Sequence, residues 1–148
     1  MCNFKFISTI FLFGIVALIG RGSEGVCAEN SSDVIIIVNN KAPDTVLSDL
    51  QIQKIFTGKE TMWSSNEKII VTVLKDDNIH ETFLKKFVRR TETQFKNTWR
   101  RILFTGKGST PREFSNTEEM INFISVNRLA IGYIPINELN DKVKAISN

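Results

Sequence analysis

Apolar residues along the chain come in two patterns, short β-branched runs and helical stripes, and the two alternate. Asp33-Val34-Ile35-Ile36-Ile37-Val38-Asn39 is apolar without alternation, as in a strand buried on both faces, and this points to a parallel sheet. The turn formers from Asn39 to Asp44 end it. Ser48-Asp49-Leu50-Gln51 then has the form of a capping box, with Leu47 and Ile52 as its hydrophobic staple. Leu50, Ile55 and Phe56 keep helical spacing until Gly58, whose freedom to turn left-handed suits a helix stop.

A second aliphatic run, Lys68-Ile69-Ile70-Val71-Thr72-Val73-Leu74, predicts a second strand, and polar Lys75-Asp76-Asp77-Asn78 follows it. Asn78 is expected to cap the next helix with Glu81 as its partner, and Ile79, Phe83, Leu84, Phe87 and Val88 mark its core-facing stripe. Thr91-Glu92-Thr93-Gln94 is another capping box. Phe95, Trp99, Ile102 and Leu103 follow on one face as far as Gly106, with Lys96, Arg100 and Arg101 opposite. A loop rich in Gly, Ser and Thr leads to Ser115 as the expected cap of a helix carrying Met120, Ile121, Phe123 and Ile124, with Asn127 as a left-handed stop. Leu129-Ala130-Ile131-Gly132-Tyr133-Ile134 predicts a third strand with a glycine inside, ended by Pro135, and Val143-Lys144-Ala145-Ile146 a short edge strand. Strands alternating with helices predict an α/β layer fold.

The N-terminal residues stand apart from this pattern. Lys5 precedes an apolar run from Phe6 to Gly20, shorter than the roughly 20 residues a spanning helix needs, and Val26-Cys27-Ala28 supplies small residues for cleavage. Residues 1–28 read as a signal peptide and 29–148 as the mature domain, with lipidation at Cys27 a minor alternative. Both cysteines, Cys2 and Cys27, fall in the removed segment, which leaves a thiol-free exported chain and points to the bacterial periplasm. The remainder suits one domain with one core.

The tetrapeptide Phe-Thr-Gly-Lys occurs at Phe56–Lys59 and again at Phe104–Lys107. Each copy ends a predicted helix, with Gly at the stop and Lys near the exposed carbonyls, where a cation favours the helix dipole. The second copy lacks the Ser or Thr that a P-loop carries after its Lys, and its backbone runs from helix to loop, the wrong polarity for a phosphate cradle. Both copies therefore read as structural stops.

Several of these segments, taken in order, carry a resemblance. Asp33 to Lys41 before a Ser-capped helix, Ile55-Phe56-Thr57-Gly58-Lys59, Trp63, an aliphatic strand, and later Ala130-Ile131-Gly132-Tyr133-Ile134 are similar to the phosphate-binding periplasmic subunits of ABC transporters. The resemblance implies one lobe of a type II periplasmic-binding-protein-like fold, a mainly parallel sheet flanked by helices. It also implies a small anion such as phosphate as ligand. In the family an Arg and a Ser-Gly-Thr turn bind phosphate at the helix start after the second strand. Here Asp77, Asn78 and Ile79 stand in the places of Ser, Gly and Thr.

The expected ligand-binding residues are accordingly Lys75, Asp77, Asn78 and Ile79, where backbone amides at a helix N-terminus and a nearby Lys suit an anion. Asp76, Asp77, His80 and Glu81 are also hard metal ligands, but a short cluster of this kind is usually solvated surface. Lys85, Lys86, Arg89, Arg90, Lys96, Arg100 and Arg101 form a basic region best read as solvated helix faces, and an exported protein seldom meets nucleic acid. Trp63 and Trp99 suit packing rather than ligand stacking. With one histidine, no mature thiol and no nucleophile-and-base constellation, nothing in the sequence argues for catalysis, so the expectation is a non-enzymatic protein without a cofactor. Its expected partners are a small phosphate-like anion, an ABC transporter membrane component or another envelope protein, or a second copy of itself. The competing reading is a single-lobe interaction module without a small-molecule ligand.

Overall fold

The computed structural model describes residues 33–106 and 108–146; the expected signal peptide, both cysteines and Lys107 lie outside them. The described residues form five strands and four α-helices, in the order β1 (Val34–Asn39), α1 (Asp49–Phe56), β2 (Ile70–Leu74), α2 (Asp77–Phe83), α3 (Glu92–Phe104), β3 (Arg112–Phe114), α4 (Thr117–Val126), β4 (Ala130–Pro135) and β5 (Val143–Ala145). The strands form one sheet in the order β3-β2-β4-β1-β5. β2 pairs in parallel with both β3 and β4, while β1 runs antiparallel to β4 and to β5. Four strands therefore share one direction and β1 opposes them, which makes the sheet mainly parallel, with one reversed strand next to the β5 edge.

Helices cover both faces, as the apolar β-branched runs require. Gly132 in β4 faces α4. A Cβ there would lie 2.4 Å from Thr72 Oγ1 and 2.8 Å from both Ile124 Cδ1 and Met120 Sδ, so close helix–strand packing requires a glycine. Tyr133, its neighbour, points to the other face and meets Phe56 of α1 and Phe83 of α2. Val34, Ile37, Ile131 and Ile134 are fully buried between these layers. Asn39 ends β1 by donating from Nδ2 to the carbonyls of Ile124 and Ser125, both at 2.7 Å, and so satisfies the C-terminus of α4.

The capping boxes at Ser48/Gln51 and Thr91/Gln94 form as predicted. Leu47 and Ile52, the expected staple, are both buried. Gly58 adopts φ +67°, its amide donates to Ile55 and that of Lys59 to Lys54, which is the complete double-bonded stop of a Schellman motif. Gly106 takes the same left-handed conformation, φ +66°, at the end of α3. Trp63 and Trp99 are buried, and their ring N–H groups donate to the carbonyls of Leu129 and Phe56, each at 3.0 Å.

Several local expectations are corrected. Asp76 caps α2, two residues before Asn78, because β2 stops at Leu74 and the first side chain after it that can accept from two amides ahead takes the role. Asn116 caps α4, one residue after Ser115, its Oδ1 accepting from the Glu119 amide at 2.9 Å. Asn127 is extended at φ −120° rather than left-handed, and its Nδ2 bonds the Phe123 carbonyl instead. Leu50 is exposed at the solvent side of α1, and Leu103 and Phe104 are exposed in the last turn of α3. α2 does not end as an α-helix but widens into a π-helical turn over Leu84–Val88, closed by an Arg89 amide to Leu84 carbonyl bond of 2.6 Å with Arg89 left-handed. β3 arises within a stretch that reads as loop.

Candidate functional site

The carboxyl ends of β2, β3 and β4 open on a crevice of about 320 Å³, the place where open α/β sheets hold ligands. Leu74, Asp76 and Ile79 form one wall, Ser115 to Glu118 the other, and Glu138, in the 3₁₀ turn that follows β4, sits at its edge. Two helix N-termini, of α2 and α4, thus meet across one opening.

The two differ in what their amides do. At α2 the Asp76 carboxylate accepts from the Asn78 amide at 3.0 Å and the Ile79 amide at 3.1 Å. It occupies the position an external anion would take, supplying both the hydrogen bonds and the negative charge that the helix dipole favours. At α4 the Asn116 side chain takes only the Glu119 amide, and no described group accepts from the Thr117 and Glu118 amides. Asp76, Glu118 and Glu138 make the rim acidic.

The four sequence-predicted residues do not converge. Lys75 is exposed and pairs with Glu113 at 3.6 Å. Asp77 and Asn78 are exposed, and Asp77 borders a different cavity, shared with His80. Ile79 is partly buried and packs against the core, and of the four it alone lines the crevice. Asp76, Ser115, Thr117 and Glu138 also line the crevice and are not among the expected residues. Asp76 offered a signal, being as competent a cap as Asn78; the others reach the crevice only through the strand order.

His80 turns inward beneath this loop. Its Nδ1 lies 2.5 Å from the Tyr133 hydroxyl, which accepts from the Leu74 amide at 3.0 Å. The Leu74 amide can only donate and no other described group accepts from the phenol, so Nδ1 is the acceptor its proton has, an arrangement that puts the imidazole proton on Nε2. Burial pushes the imidazole pKa down, with the Glu92 charge opposing, and burial raises that of the Tyr133 phenol. The ring stacks on Phe83 and meets Phe95 edge-on, so it does not join Asp76, Asp77 and Glu81 in a ligand cluster. No group of three or more His, Cys, Asp or Glu among the described residues is placed to hold a metal ion.

A larger cavity of about 430 Å³ lies at the opposite, amino ends of β2 and β4, floored by Ile55, Ile69, Trp99 and Leu129. Its lining is chiefly apolar and presents no pair of helix N-termini. Lys85, Lys86, Arg89, Arg90, Lys96, Arg100 and Arg101 are all exposed, but Arg89 and Arg90 lie in the link before α3 rather than on a helix face. No helix among the described residues is long and apolar enough to cross a membrane.

No protein-family description and no curated protein matches the chain. Solved structures do. A phosphate ABC transporter substrate-binding protein from Clostridium perfringens, solved with bound phosphate, is 21% identical with a TM-score of 0.63, over 77% of this chain and 44% of its own. An ABC-type phosphate transport receptor from Vibrio cholerae gives 21% and 0.61, over 77% of this chain and 45% of its own. PstS from Borrelia burgdorferi gives 15% and 0.58, over 77% and 46%. The resemblance carried by the sequence motifs therefore recurs in three dimensions as a shared fold. The chain matches less than half the length of each of these proteins, in keeping with a periplasmic-binding-protein-like lobe.

Proposed function

We propose that the chain is an exported, non-catalytic binding module of the phosphate-transport substrate-binding type, and that its crevice takes phosphate or another small oxyanion. The observation that carries this reading is the meeting of the α2 and α4 N-termini at the carboxyl ends of three strands that share one direction. The Thr117 and Glu118 amides face the anion from α4. Lys75, Asp77, Asn78 and Ile79 form the loop on the other side, where Lys75 supplies the positive charge once it leaves its exposed contact with Glu113. Asp76 already fills the α2 amides, and the carboxylates of Glu118 and Glu138 add like charge, so the affinity is expected to be low. The chain is cleaved after Ala28 and works in the periplasm, beside an ABC transporter membrane component or another envelope protein.

An amide-resolved NMR titration of the purified protein with inorganic phosphate, at constant ionic strength with chloride as control, tests this. The expected result is saturable movement of the Thr117 and Glu118 amides; movement that never saturates, or that chloride reproduces, rejects the crevice as an anion site.

Two observations favour a second reading, a single-lobe interaction module without a small ligand: the Asp76 carboxylate satisfies α2 internally and the rim is acidic. Under that reading the crevice meets a cationic segment of an envelope protein or of a second copy, and phosphate leaves the spectrum unchanged.

A further inference from the structure

A third cavity, of about 400 Å³, opens between α2 and the N-terminus of α3 and shares no lining residue with the crevice. Its floor is His80 and Leu84, and its rim includes Asp77, Arg90, Thr91 and Thr93.

Three features of this cavity are unsatisfied by the fold. His80 is only 8% exposed, and with Nδ1 engaged by Tyr133 its protonated Nε2 has no partner among the described residues. No sealed side-chain polar atom among those residues lacks a partner, so Nε2 is open, and this cavity is the space His80 borders. The 13-residue helix α3 begins at the rim. Its capping box uses the Thr91 and Gln94 amides, while those of Glu92 and Thr93 donate to no described group. Finally, Lys85 pairs with Glu81 and Lys96 with Glu92, which leaves Arg90 and Asp77 as the rim charges without a salt bridge among the described residues.

We propose that this cavity binds a small zwitterion of the free α-amino acid class, its carboxylate on Arg90, the Glu92 and Thr93 amides and His80 Nε2–H, and its ammonium on Asp77. A simple anion would satisfy Arg90 and the amides but face the Asp77 carboxylate; a simple cation would satisfy Asp77 and face Arg90. Only a ligand carrying both charges completes the set. The site shares only Asp77 with the loop proposed beside the crevice, and it does not require phosphate to bind there.

His80 is the sole histidine of the chain, so its ring resonances report on this cavity without ambiguity. The purified protein is titrated with L-alanine, acetate and methylammonium while the His80 ring signals are followed by NMR. L-alanine is expected to move them saturably, acetate more weakly and methylammonium least. Arg90→Gln is expected to weaken L-alanine by about tenfold, and Asp77→Asn to weaken L-alanine while sparing acetate. Both positions are exposed, and an unchanged amide spectrum confirms folding of each variant. No saturable response to L-alanine, or an undiminished one in Arg90→Gln, overturns the proposal. An L-alanine response equal to that of acetate in both wild type and Asp77→Asn overturns the zwitterion assignment.

Discussion

The rings of Phe83 and Tyr133 lie face to face, centroids 3.8 Å apart and planes 2° from parallel. That contact sets α2 against β4, and it places the Tyr133 hydroxyl between the Leu74 amide and His80 Nδ1. The end of β2, the middle of β4 and the first turns of α2 are thereby joined at one phenol, directly under the loop that forms one wall of the crevice.

Tyr133→Phe keeps the ring stack and removes only the hydroxyl, leaving a buried amide and a buried ring nitrogen without partners. Denaturant unfolding is expected to show a loss of about 1–3 kcal/mol. A change within error would mean that water replaces the hydroxyl at no cost and that the donor chain contributes nothing.

The same histidine links stability to pH. Its ordinary pKa is 6.5 and burial lowers it in the folded protein, so below 6.5 the unfolded chain binds more protons than the folded one. The contribution is fully present above 6.5, declines as pH falls from there toward the lowered folded value, and is constant below it. Melting temperature followed from pH 8 to pH 5 should fall in that window in the wild type, and His80→Gln should flatten the fall. A wild-type melting temperature that rises on acidification through the window contradicts the assignment.

The glycines test the reading of the repeated Phe-Thr-Gly-Lys. A Cβ on Gly106 meets nothing within 4 Å, whereas one on Gly58 would lie 2.4 Å from Ile102 Cδ1, and both residues are left-handed. Gly106→Ala is therefore expected to cost about 1–2 kcal/mol from backbone strain alone, and Gly58→Ala more. Gly132→Ala, which meets Thr72, Ile124 and Met120, should cost about 1–3 kcal/mol from overpacking. Denaturation curves that rank Gly106→Ala above Gly58→Ala would refute the structural account of the repeat.

What was legible in the sequence is what is decided locally. The Ser48/Gln51 and Thr91/Gln94 boxes, the two glycine stops and the β-branched runs of β1, β2 and β4 depend on neighbours a few residues away. The reversed direction of β1 was not legible, because a strand buried on both faces reads the same either way. β3 was invisible because Arg112-Glu113-Phe114 has no apolar period and becomes a strand only by pairing with β2. The crevice was half legible. The loop after β2 was identified, but Asp76 and Asn78 are both competent caps, and only the observed end of β2 distinguishes them. Its other wall, Ser115 to Glu118, lies about forty residues away in the chain and reaches the site through the strand order β3-β2-β4. The His80–Tyr133 bond spans 53 positions, which no local pattern signals.

The most direct test of an anion-binding crevice exploits Asp76. Asp76→Ser retains a capping oxygen for α2 and removes the negative charge that shares the opening. Calorimetric titration of inorganic phosphate into wild type and variant is expected to show saturable binding in both, tighter in Asp76→Ser by about tenfold. No saturable heat in either protein would contradict the account, and would leave the crevice to a protein partner.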